Sequence, residues 1–130
     1  MKKYYLMAIN LGHSNAMDNL GVYYYIIEKN YDLAKIYYCM AIDLNNSLAM
    51  CNLALYYQKV EFNYELMETY YLRAAELQDE NSINNLAKYY FETKNTVKLF
   101  NFCIKHSIDN DAYMKLALGT HTDTETEFAS

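Results

Sequence analysis

A chain of 130 residues has room for one domain with a modest core, and this one is 53% hydrophobic with no proline, three glycines and sixteen tyrosines. The absence of proline removes the strongest helix breaker and scarce glycine argues against a turn-rich β-fold, so composition predicts an all-α protein. The net charge is −5; Asp123, Glu125 and Glu127 supply three of the 16 acidic residues, leaving 13 against 11 basic ones, with no basic stripe to neutralise a phosphate backbone. That balance disfavours a nucleic-acid partner.

No apolar run approaches the roughly 20 residues of a membrane span, and the start lacks the charged-then-apolar pattern of a signal peptide. The expectation is a soluble cytoplasmic protein with no membrane partner. Cys39, Cys51 and Cys103 are odd in number and fall within helical patterns, which reads as reduced packing residues rather than a disulfide framework.

Taken in order, the sequence repeats itself. The pairs Tyr4-Tyr5, Tyr37-Tyr38 and Tyr70-Tyr71 follow one another at a constant interval, which Ala8, Ala41 and Ala74 share, as do Leu11, Leu44 and Leu77. A second landmark keeps the same interval: Asn19-Leu20, Asn52-Leu53 and Asn85-Leu86, each Leu followed three residues on by Tyr23-Tyr24, Tyr56-Tyr57 or Tyr89-Tyr90. Two landmarks sharing one period of about 33 residues predict an α-solenoid of antiparallel helix pairs, in which no pair buries its own apolar face alone. A repeat array is a binding module by design; it does not say what is bound.

Met1 to Leu11 carries the pattern of Leu33 to Leu44 and is predicted to be the second helix of a repeat whose first helix is missing. Either the chain is a fragment of a longer array, or the open flank is covered by another subunit, giving a homo-oligomer. Gly12 to Asn15 form a turn with Ser14 or Asn15 as N-cap. Helix A then runs from Asn15 to Lys29 with Ala16, Leu20, Tyr24 and Ile27 on one face. Asn30 and Tyr31 mark a turn, and helix B follows from Asp32 to Leu44 with Ala34, Tyr37, Tyr38, Ala41 and Ile42 as its stripe.

The next unit turns at Asn45 to Ser47, continues as helix A to Lys59, turns at Phe62 and Asn63, and ends helix B at Gln78. A third has helices at Asn81 to Thr93 and Thr96 to Ile108. There the pattern decays, Cys103-Ile104 standing for Tyr37-Tyr38 and Ser107 for Ala41, as in a capping repeat. Asp109 to Leu118 reads as a last short helix, so the repeat domain covers residues 1–118. Residues 119–130 have no apolar period and read as a disordered acidic tail.

The string YDLAKIYYCMAIDLNNSLAMCNLALYY resembles the Sel-one-like repeat, a relative of the tetratricopeptide repeat. Ala34, Tyr37-Tyr38, Ala41-Ile42, Ala49 and the pairs Leu20-Gly21, Leu53-Ala54 and Leu86-Ala87 fall on that family's characteristic positions, over residues 1–108. One departure is that the family's Gly-rich loop between helices A and B is shortened here to the EKNYD type of turn. The bias to Tyr, Asn, Ile and Lys is similar in style to arrays of large DNA viruses of amoebae, which implies a viral source and a host-cell location. The resemblance implies a solenoid whose concave side, lined mainly by A helices, holds partner proteins without catalysis.

Asn19, Asn52 and Asn85 stand at a position that lines the groove in the related tetratricopeptide proteins. A carboxamide both donates and accepts, so a ladder of them can hold an extended peptide backbone; the same recurrence also serves local packing. Asp18, Val22, Tyr25, Cys51, Leu55, Lys59, Asn84 and Lys88 are their neighbours. Tyr25 lies outside the phase of the packed tyrosines, which makes it a contact candidate. Lys59 and Lys88 can attract a ligand carboxylate.

Cys103 and His106 are spaced like half a zinc site, but no second pair stands at ligand spacing, so no metal and no cofactor is expected. Glu65 with Glu68 and Glu76 with Glu80 read as solvated faces rather than an acid and base pair. With no phosphate-cradling glycine loop and no nucleophile elbow, no catalytic residue is expected and the chain is not read as an enzyme. The expected function is a non-catalytic scaffold or adaptor for a protein or peptide partner; a self-assembling structural unit is the alternative, and an enzyme the third reading.

Overall fold

The computed structural model describes residues 13–108; the predicted helices over Met1–Leu11 and Asp109–Leu118 and the tail 119–130 lie outside them. Within that range the protein is all-α, with six helices: α1 Ser14–Ile26, α2 Tyr31–Ile42, α3 Ser47–Tyr56, α4 Tyr64–Glu76, α5 Glu80–Glu92 and α6 Thr96–Lys105. A π-helical turn, Tyr57–Glu61, extends α3. The helices form antiparallel pairs with roughly 33-residue spacing, a helical-repeat fold, and α1, α3 and α5 start at equivalent positions, as do α2 and α4.

The chain divides into two compact units, residues 1–82 and 83–130. In the first, α1 packs on α2 and α3 on α4, while α3 also meets α2 and α1. Leu20, Ala34, Ala41, Leu53, Ala54, Met67, Tyr71 and Ala74 are fully buried there. The alanines stand where helices approach, and each large side chain contributes about 1.5–3 kcal/mol by burial. Closest of all is Gly21, where a Cβ would lie 2.6 Å from Cε1 of Tyr38, itself 3% exposed. In the second unit Ile83, Leu86, Ala87 and Tyr90 of α5 and Leu99, Phe102 and Cys103 of α6 are buried. Tyr90 meets Phe102 edge-on at 5.8 Å.

Every joint between the described helices is built by the same two residues. The first is left-handed and never glycine: Lys29, Asn45, Phe62, Gln78 and Lys94 have φ between 52° and 65°. The second is an Asn or Asp whose side-chain oxygen accepts the backbone N–H three residues on. Asn30 takes Leu33, Asn46 takes Ala49, Asn63 takes Leu66, Asp79 takes Ser82 and Asn95 takes Lys98, at 3.0–3.3 Å. One N–H of each helix start is thereby satisfied by the residue that ends the preceding turn.

The joints differ in width. Asn46, Asp79 and Asn95 donate their own N–H to the carbonyls of Ala41, Ala74 and Tyr90, five residues back, whereas Asn30 and Asn63 reach Tyr24 and Tyr57, six back. The wide form holds one extra residue in the last turn of α1 and α3, which in α3 is the π turn. The α5–α6 joint uses the tight form. Accordingly α6 starts at Thr96, one position short of where the interval kept by the other helices would place it.

Three expectations need correction. His13, with no side-chain cap, is the N-cap of α1, because Ser14 Oγ and Asn15 Oδ1 instead accept Nδ2 of Asn46 at 3.1 and 2.7 Å. Ile27 is 66% exposed, since α1 has already closed at Ile26 into the turn. Cys39 is exposed while Cys51 and Cys103 are buried, because its place one position past the buried Tyr38 turns it off the stripe that Ala41 and Ile42 complete.

Candidate functional site

The sequence places most candidates on A helices, and within the first unit α1 lies against α3. Their shared face carries Asp18, Val22 and Tyr25 at helical spacing on α1, and Asn52 and Leu55 on α3, with Lys59 following in the π turn. Asn52 Nδ2 donates to Asp18 Oδ1 at 2.8 Å, joining two successive A helices. Asp18 is only 4% exposed. Burial pushes its carboxyl above the ordinary range, and the Asn52 bond offsets part of that rise.

Asn52, Val22, Tyr25 and Leu55 are half-buried, and Asn19 and Lys59 are exposed. Tyr25 lies 5.2 Å from the ring of Tyr31; burial, with Tyr31 beside it, raises its phenol. In the second unit Asn85 is half-buried and Lys88 exposed on α5. The three carboxamides therefore differ in what they can offer. Asn52 spends its amide nitrogen on Asp18, whereas Asn19 is exposed.

A second cluster joins α2 to the end of α3. Tyr56 Oη donates to Glu61 Oε2, and Lys35 Nζ donates to the same oxygen at 3.3 Å. Lys35 Nζ also sits 5.6 and 5.1 Å from the ring centroids of Tyr56 and Tyr57, and Tyr57 stacks on Tyr70 at 6.0 Å. The Tyr56 bond, followed by Lys35, holds Glu61 below the usual carboxylate range. Burial and then Glu61 push the Tyr56 phenol up to about 12. For Lys35, burial acts against the ammonium, but Tyr57 and Glu61 outweigh it and raise its pKa.

The first repeat carries the same latch, Tyr23 Oη donating to Glu28 Oε2 at 2.8 Å. A Tyr with Glu five residues on, recurring one repeat later, was the signal for Glu61 in the sequence; Lys94 breaks it in the third copy. The wide helix end explains the spacing, because it turns Glu61 back over Tyr56. Lys35 carried no comparable sequence signal.

Among the described residues no three His, Cys, Asp or Glu side chains converge as metal ligands would. No helix among them is long and apolar enough to cross a membrane. No protein-family model matches the chain, and neither does any curated protein or solved structure.

Proposed function

We propose that the chain is a non-catalytic adaptor of the Sel-one-like kind, which takes a protein or peptide segment on its A-helix face inside the host cell of a virus. The observation that carries this reading is the mixed character of the α1/α3 face. Val22, Tyr25 and Leu55 are half-buried apolar and aromatic groups, set beside a carboxamide whose oxygen is turned to no other described group and an exposed Asn19. Aromatic anchors next to fixed polar groups are the make-up of binding patches. The Lys35–Glu61–Tyr56 cluster, by contrast, consumes its charges internally and ties α2 to the π turn at the end of α3.

The test is selection of displayed peptides against the full chain, followed by affinity measurements on Leu55→Asp and Tyr25→Ala. Both substitutions alter half-buried groups, so their melting curves are expected to stay near that of the parent. The selected peptides are expected to lose at least tenfold in affinity to each. Peptides that bind both variants as tightly as the parent would remove this face from the function.

A further inference from the structure

We infer that the partner segment carries an arginine whose guanidinium closes on Asp18 beside Asn52, with flanking apolar residues lying on Val22, Tyr25 and Leu55. The inference rests on the binding-face reading above and names the chemistry of its partner. Asp18 is the one acidic side chain buried among the described residues. Among the described residues it receives a single hydrogen bond, from a neutral amide, and the groups that face it are Asn52 from α3 and Tyr38 from α2. Among the described residues no lysine, arginine or histidine pairs with it.

Buried carboxylates are normally paired with a cation or kept neutral, because an uncompensated charge loses its hydration and gains nothing in return. Periodic packing does not account for this one. The equivalent positions of the next two repeats hold Cys51 and Asn84, so the charge occurs once in the array and not as part of the repeat. Asp18 itself is buried, but its hydrogen-bond partner Asn52 is half-exposed, so the pair reaches the surface through Asn52. A guanidinium fits better than an ammonium: it is more weakly hydrated, and its planar fork can donate to the carboxylate and to Asn52 Oδ1 together.

The probe is the peptide acetyl-Leu-Leu-Arg-Leu-Leu-amide, titrated into the full chain beside its twin with citrulline, the uncharged isostere of arginine. The parent protein is expected to bind the arginine peptide at least tenfold more tightly, and Asp18→Asn is expected to bring that ratio close to one. A readout independent of the variant's folding is the side-chain carboxyl carbon resonance of Asp18 in the parent, which should move with the arginine peptide and not with its twin. Equal affinities, binding of neither peptide, a preference kept by Asp18→Asn, or an unmoved carboxyl resonance would overturn the inference. Display-selected peptides that need Leu55 and Tyr25 but lack a basic residue would overturn it while leaving the adaptor reading standing.

Discussion

Asp18 and Gly21 lie one helical turn apart on α1, and each makes a demand on its neighbours that a substitution can expose. The raised pKa of Asp18 comes first from burial, with Asn52 and Tyr38 as the groups that face it. Its ordinary value is 3.8. Below that pH the side chain is neutral in both the folded and unfolded chains. As pH rises through the raised folded value, the unfolded chain sheds its proton first, so this residue withdraws stability as pH increases. Asp18→Asn, which keeps the hydrogen-bonding shape without the charge, should therefore become more stabilising relative to its effect near pH 3 as pH rises past 3.8, levelling off above the raised folded value. Urea denaturation at several pH values would show the widening gap, and a constant gap would disprove the burial argument. Gly21→Ala meets the ring of Tyr38, which has almost no room to retreat; the expected cost is about 1–3 kcal/mol from overpacking, read as a lowered denaturation midpoint.

At the scale of elements the joints decide how the repeats meet. Asn46 is the best connected of the capping residues, since it caps α3 with its oxygen and reaches Ser14 and Asn15 with its nitrogen. Asn46→Ala should cost about 1–2 kcal/mol from the cap alone. Asn46→Asp separates the roles, because it retains the cap and loses the donor; a loss as large as that of Asn46→Ala would place the stability in the bonds to α1. The left-handed residues offer the opposite prospect. Phe62 is 64% exposed at φ 55°, so Phe62→Gly and Lys94→Gly should each gain up to about 1 kcal/mol by removing the steric cost of that conformation, visible as raised melting temperatures.

These joints also mark where the sequence could be read and where it could not. The constant period, the six described helices and most of their buried stripes follow from spacing alone, because each apolar position recurs against the same neighbour. Glycine-free left-handed turns at Lys29, Phe62 and Lys94 carry no such signal, since nothing in a lysine or phenylalanine announces a positive φ. The wide end of α3 was likewise hidden, and with it Lys35 as a second partner of Glu61. Asn52 was legible as a repeated residue, but its bond to Asp18 depends on a side chain that occurs once and that periodicity therefore cannot reveal.

For the molecule as a whole, the proposed docking surface is the A-helix face, and not the joints or the Lys35 cluster. The repeat supplies the scaffold by burying alanines and tyrosines in register, and departures from the repeat, such as Asp18 and Tyr25, supply what is distinctive on that face. The most direct measurement is to map a display-selected peptide onto the isotope-labelled full chain by backbone and side-chain chemical-shift changes. Docking on the A-helix face predicts the largest changes at Asp18, Val22, Tyr25, Asn52 and Leu55, with Lys35 and Glu61 little affected. Changes centred on Lys35, Tyr57 and Glu61, or spread over α4 with the α1/α3 face unmoved, would contradict it.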